Sequence, residues 1–247
     1  MIAAGKVVEP LVDLYKVEVR ELAEQLGIPR HLIARHPFPG PGLGVRLLCN
    51  SGEDDRSNFE QIEPALVGLG SRFDLQLLAL PIRSVGVKAD LRAYEHPVML
   101  SGNVPWETLI EATAVTTADV PGLNRCIWNL GPTAPTRAHA RPATMTRARL
   151  DLLREADHLV MQALERHGFY DEVWQCPTVL VPVDLDDSDG ELLIVRPVRS
   201  ARGMTAQPVQ LPAALLDELR DRILELPGIT GLALDVTSKP PGTIEWE

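Results

Sequence analysis

The residues best placed to do chemistry lie in the last stretch of the sequence, Asp235-Val-Thr-Ser-Lys-Pro-Pro-Gly-Thr-Ile-Glu-Trp-Glu247. Lys239 precedes a Pro-Pro-Gly turn, and Glu245 and Trp246 come after it. Turn residues fix the backbone, so Lys239 and Glu245 are expected to be held rather than to wave in solvent. A pinned lysine beside a pinned carboxylate suits a phosphorylated small molecule. The ammonium meets the phosphate, and the carboxylate accepts hydrogen bonds from the N–H groups of a base. The plain alternative is a surface salt bridge of little energetic weight.

Two other charged segments differ in sign. Arg83-Ser-Val-Gly-Val-Lys-Ala-Asp-Leu-Arg92 is cationic, and Asp184-Leu-Asp-Asp-Ser-Asp-Gly190 is anionic. Both read as loops, and only the first can meet a phosphate. Asp90 and Arg92 read equally well as a solvated ion pair in a turn. The acidic run lacks the glutamate that a calcium loop needs at its last position, so it reads as a solvated hairpin tip. Cys49, Cys126 and Cys176 show neither zinc nor thioredoxin spacing and read as free thiols of a reducing cytosol. His36 reads as a packed or hydrogen-bonded residue of its loop. Arg199, Ser200 and Arg202 read as structural.

Composition narrows the classes. A net charge of −10 over 247 residues argues against a general nucleic-acid surface, which needs clustered basic charge. A few local cations still suffice for a small anion. No apolar run reaches membrane-spanning length, and the first ten residues lack the pattern of a signal peptide. A cytoplasmic location is expected. With 45% hydrophobic and only 4% aromatic residues, the core must rest on Leu, Val, Ile and Ala.

The elements that must position these residues emerge from periodicity. Leu14, Val17, Leu22 and Leu26 suggest a helix over about 11–26, stopped by Gly27, and a short second helix runs to Ala34. His36-Pro-Phe-Pro-Gly-Pro-Gly42 holds three prolines and two glycines in seven residues and must be a stiff loop. Leu43–Leu48 reads as a strand. A weak internal repeat then appears. Its first unit reads helix (58–69), strand (73–82), strand (96–101), helix (105–117), strand (125–130). Its second reads helix (146–167), strand (175–183), strand (192–198), helix (212–226), strand (231–236). Each second helix begins near a proline and ends in Pro-Gly before the last strand, and the proline-bearing segment Gly131–Pro142 connects the units. The expected fold is α+β: two similar two-layer units packed as an internal pseudo-dimer, preceded by a short helical segment and the Pro/Gly loop.

Several segments together resemble the C-terminal region of glutamine-dependent GMP synthase. They are Val8-Glu-Pro-Leu, Lys16-Val-Glu-Val-Arg-Glu-Leu22, His36-Pro-Phe-Pro-Gly-Pro-Gly-Leu43, Leu80-Pro-Ile-Arg-Ser-Val-Gly-Val87 with Asp90 and Arg92, Gly203-Met-Thr-Ala206, and Thr237-Ser-Lys-Pro-Pro-Gly-Thr-Ile-Glu-Trp-Glu247. They occur in the family's order across nearly the whole chain. The two-unit layout is similar to the long form of the enzyme, whose dimerisation region is duplicated. The resemblance implies residues 1–48 as the end of an ATP-pyrophosphatase-type region with the Pro/Gly loop. It implies 49–132 as a first dimerisation unit, and 133–247 as a second with an XMP-binding tail.

The family makes GMP from XMP, ATP and glutamine-derived ammonia; it is a carbon–nitrogen ligase that uses ATP and Mg. The resemblance implies that Asp90, Arg92, Gln175, Lys239, Ile244 and Glu245 bind XMP, and that no catalytic residue or metal ligand lies in this chain. The residue types agree: Arg92 and Lys239 donate to phosphate, Asp90 orients Arg92 or accepts from ribose, Gln175 donates through its amide, and Glu245 reads an N–H edge. The Pro/Gly loop is expected to border the site on the ATP side. The sequence departs from the complete family pattern in lacking the glutaminase Cys and His and the Ser-Gly-Gly-Val-Asp-Ser phosphate loop. Alone, the chain is expected to be incomplete and inactive, with XMP or GMP, the missing domains and a second copy as its partners. The alternative is a non-catalytic nucleotide-binding module that docks on a separate catalytic subunit.

Overall fold

A computed structural model of the chain describes residues 7–40, 42–88, 91–201 and 203–247. The chain divides into two bodies, up to Pro37 and from Phe38 onward. In the first, α1 (Lys16–Gln25) and the single-turn α2 (Arg30–Ile33) come after a turn at residues 10–13. The Tyr15 N–H donates to Glu18 Oε2 at 2.7 Å, which satisfies one of the amide donors left open at a helix start.

The second body holds the sheet and the helices packed on it. After β1 (Asn50–Ser51) come α3 (Phe59–Phe73), β2 (Gln76–Ala79), β3 (Ser84–Lys88), β4 (Leu91–Ser101), α4 (Trp106–Asp119) and β5 (Leu123–Asn129). The connector holds β6 (Ala138–Ala140) and β7 (Pro142–Ala143). The second unit holds α5 (Arg147–Arg166), β8 (Thr178–Val181), β9 (Val183–Leu185), β10 (Glu191–Val195), β11 (Val198–Arg199), β12 (Gln207–Pro208), α6 (Ala213–Ile223) and β13 (Ile229–Asp235). Pro105 and Pro212 immediately precede α4 and α6, as expected. Gly122 and Gly228, with φ of 89° and 93°, make the Pro-Gly turns into β5 and β13 in a region closed to most side chains.

The main sheet runs β2-β4-β5-β13-β10-β8. Within each half, the first pair is antiparallel (β2 with β4, β8 with β10) and the second parallel (β4 with β5, β10 with β13). The halves meet where β5 and β13 pair antiparallel, with Ile127 opposite Asp235. The parallel pairs require crossovers, and α4 and α6 supply them.

Side chains alternate across the strands. Val98, Leu100, Cys126, Leu180, Leu193, Leu232 and Leu234 join the helix-side core with Ile62, Leu109, Leu153 and Leu219. Met99, Ile127, Val179, Val181, Ile194 and Ala233 point into a second core on the other face, which Trp246 completes. α5 obeys the same logic: Leu153, Ala156, Val160, Ala163 and Leu164 form one buried stripe.

Two expectations are corrected. Leu43–Leu48 is no strand: Gly42–Arg46 forms a 3-10 turn, and only Leu47 bridges to β8. Glycines at 42 and 44 favour the tight turn, and Leu47 and Leu48 are buried regardless. The segment Arg83–Arg92 is no open loop either. Its described part is the β3–β4 hairpin, with Val87 opposite Arg92. Among the described residues, no helix is long and apolar enough to cross a membrane.

Candidate functional site

The tail leaves β13 at Asp235 and turns back across the sheet. Thr237 Oγ1 accepts from the Cys126 amide at 2.9 Å, which ties the departure to β5. Lys239 pairs by backbone with Ala206 in both directions, at 2.8 and 3.2 Å. After the Pro-Pro-Gly turn, the Pro241 carbonyl accepts from Val87 at 2.7 Å and the Trp246 carbonyl from Val85 at 3.0 Å. The tail thus lies along β3 on one side and against residues 203–206 on the other. Gly86 makes the approach possible, since a Cβ there would stand 2.6 Å from the Pro241 carbonyl oxygen.

Lys239 and Glu245 are held as the turn chemistry predicts, and both are partly exposed. Lys239 Nζ donates to the Gly203 carbonyl at 2.6 Å, which leaves further ammonium donors for a ligand. Glu245 Oε1 accepts from Gln175 Nε2 at 2.5 Å, whereas its Oε2 is buried with no hydrogen-bond partner. Burial pushes the Glu245 carboxyl above the usual carboxylate range, against the pull of Arg46, Gln175, Arg196 and Arg125. An unmatched carboxylate oxygen is an acceptor waiting for a donor.

Beneath the tail lies a buried charge centre. Asp235 is 0% exposed and accepts from Arg196 Nη1 at 2.6 Å, Arg125 Nη1 at 2.8 Å and Trp246 Nε1 at 3.0 Å. The Arg125 guanidinium also lies 4.8 Å from the centroid of the Trp246 ring. Burial alone would raise the Asp235 carboxyl, but Arg196 and Arg125, with hydrogen bonds from Thr237, hold it below its ordinary value. Burial pushes Arg125 down to about 10, opposed by Asp235. Two guanidiniums against one buried carboxylate leave an excess positive charge, and Glu245 is the next anion in reach of both.

The expected site residues are brought together only in part. Gln175, buried just before β8, meets Glu245 directly. Ile244 packs with Val198, Ala206 and Trp174, and its carbonyl accepts from Arg196 Nε at 3.1 Å. Arg92 is exposed on the hairpin, directly opposite the Val87 that holds Pro241. Among the described residues it has no ion pair. Asp90 lies outside the described residues. Sequence reasoning missed Arg125, Arg196 and Asp235 as the centre of the site. It also missed Arg46, which is buried, bonds Asp157 Oδ1 at 2.9 Å and stacks 4.2 Å over the Phe38 ring of the Pro/Gly loop.

Residues 162–246, which contain Gln175, the charge centre's Arg196 and Asp235 and nearly the whole tail, match the family described as GMP synthase C terminal domain. The chain carries that family's domain in residues 162–246, and proteins named GMP synthase align with nearly all of the chain. The probable glutamine-hydrolyzing GMP synthase of Leptospira interrogans serovar copenhageni is 36% identical over 261 residues, spanning 100% of this chain and 41% of that protein. The probable GMP synthase of Caenorhabditis elegans is 32% identical over 320 residues, spanning 98% of this chain and 42% of that protein. The GMP synthase of Thermotoga maritima is 30% identical over 249 residues, spanning 98% and 31%. The chain therefore spans less than half the length of each of these relatives.

Proposed function

We propose that this chain binds XMP for the ATP-dependent amination of XMP to GMP, a carbon–nitrogen ligation with glutamine as amido donor. The observation that carries the reading is the tail. It holds a lysine with spare donors and a half-buried carboxylate with a spare acceptor on the two sides of one turn. Lys239 takes the phosphate together with Arg92 of the hairpin, and Asp90 orients Arg92 or takes a ribose hydroxyl. Glu245, steadied by Gln175, accepts from the N–H edge of the purine. Ile244 contributes a rigid backbone and an apolar edge.

The duplicated organisation is part of the proposal. Residues 49–132 and 133–247 form two copies of one unit, and the mirrored order β2-β4-β5 against β13-β10-β8 supports an internal pseudo-dimer. Residues 1–48 then belong to an ATP-pyrophosphatase-type region. A second copy of the chain and the rest of the enzyme, with its ATP-pyrophosphatase and glutaminase parts, are the proposed partners. The proposed compartment is the cytoplasm, in keeping with buried free thiols at Cys126 and Cys176. ATP and Mg are proposed to be bound mainly by the ATP-pyrophosphatase part of the enzyme.

Calorimetric titration of XMP into this chain, beside Lys239→Ala, tests the reading. Binding in the micromolar-to-millimolar range that disappears in Lys239→Ala supports it. A folded chain that takes up no XMP contradicts it.

A further inference from the structure

We infer that Asp235, Arg125 and Arg196 are positioning residues, which set the separation of Lys239 and Glu245 without touching the ligand. The inference deepens the XMP reading and rests on it. All three side chains are 0% exposed, so they are closed to a nucleotide in this structure. Their hydrogen bonds nevertheless end on both flanks of the turn. On the flank before Lys239, Asp235 Oδ1 accepts from the Thr237 amide at 3.0 Å, and Arg196 Nη1 donates to the Thr237 carbonyl at 3.0 Å. On the flank around Glu245, Arg196 Nε donates to the Ile244 carbonyl at 3.1 Å. Arg125 Nη2 donates to Thr243 Oγ1 at 2.9 Å and to the Glu245 carbonyl at 2.8 Å. Trp246 Nε1 closes the ring on Asp235.

One carboxylate and two guanidiniums therefore grip residues 237 and 243–246 together. The planar forks of arginine suit this, because each spans two acceptors in fixed geometry. The grip falls on backbone atoms and on Thr243 and Trp246, so the spare Lys239 donors and the unmatched Glu245 Oε2 are not consumed by it. A site must hold its groups within about half an ångström to act well, and such support from outside the ligand shell is the usual means. Arg125 comes from the first half of the sheet and Arg196 and Asp235 from the second. The seam between β5 and β13 thereby becomes the base of the site.

The test compares wild type, Asp235→Asn and Trp246→Phe in the full chain, with hydrogen exchange and XMP calorimetry. Asp235→Asn risks unfolding, because it strips two buried arginines of their counterion. Trp246→Phe removes the indole N–H from the ring of bonds and leaves a smaller aromatic plug in the core. The expected result is that Trp246→Phe keeps the slow exchange of β10 and β13, speeds exchange over 242–247 at least tenfold, and weakens XMP binding about tenfold. A folded Trp246→Phe chain with a loosened tail and wild-type XMP affinity would overturn the positioning role while leaving the XMP reading intact. Unchanged tail exchange in that variant would overturn the grip itself. A wild-type chain with a protected tail and no XMP binding would remove the XMP reading, and the ligand role of the three residues with it.

Discussion

The two halves of the sheet take the same path and end differently. In the first, β5 runs out at Asn129 into a connector that crosses to β6 and β9. In the second, β13 runs out at Asp235 into a tail that folds back over the seam. Within the second half, charge is handled in two ways. The acids of the second half's Asp184–Asp189 segment lie near the surface, as where Asp187 meets Arg137 with both side chains about 60% exposed. The acid at the end of β13 is fully enclosed by two arginines. The two halves share a strand order, and the difference between them lies in the segment beyond the last strand of each.

That contrast can be broken most forcefully at Asp235. Replacing it with alanine leaves Arg125 and Arg196 buried without their shared counterion, and a loss of about 3–5 kcal/mol is expected. Urea unfolding checks it, and a loss below 1 kcal/mol would place the charge centre in the same class as the surface pairs. The same carboxylate sets an acid limit. Its pKa is lowered in the folded chain, so its stabilisation is complete above the unfolded value near about 3.9 and is lost as pH falls through the folded value. The midpoint of unfolding should drop over that acid range in wild type and less in the alanine variant.

Gly86→Ala comes next. Its Cβ meets the Pro241 carbonyl and drives the tail off β3, at an expected cost of about 1–3 kcal/mol. Thermal unfolding measures it, and XMP binding should weaken with it.

Glu245→Gln sharpens the contrast in the opposite direction. A raised carboxyl pKa means that ionisation on folding costs stability as pH rises above the unfolded value near about 4.3. The variant should therefore be more stable than wild type at pH 7 and equal to it near pH 4, while XMP binding is lost. Paired denaturation curves at the two pH values decide the sign. The smallest effect belongs to Asp187→Ala, where an exposed pair contributes about 0–1 kcal/mol and XMP binding should be unchanged.

Much of this layout was legible in the sequence. The order of helices and strands in both units emerged from apolar spacing, proline starts and Pro-Gly stops. Local turn chemistry sufficed to expect that Lys239 and Glu245 are held, as their hydrogen bonds to Gly203 and Gln175 show. The hairpin at Ser84–Lys88 was hidden by its charged flanks, although Val85 and Val87 alternate as a strand should. The charge centre was hidden for a different reason. Arg196 and Asp235 each close a run of buried aliphatic residues, and a charge in that position must be paired when enclosed. Nothing local names the partner: Asp235 meets Arg125 across 110 residues and Arg196 across 39. The link from Arg46 to Asp157 spans 111. Such pairs exist only once the sheet has been assembled.

The most direct measurement is an NMR titration of XMP monitored at the four tryptophan indoles. Trp246 is bonded to the charge centre, and Trp174 packs beside Ile244 and lies against Gly203. Trp106 belongs to α4, and Trp128 bonds Gly102 away from the tail. The account predicts saturable shifts at Trp174 and Trp246 with Trp106 and Trp128 unmoved. Shifts confined to Trp106 and Trp128, or none at any indole up to saturating XMP, would contradict it.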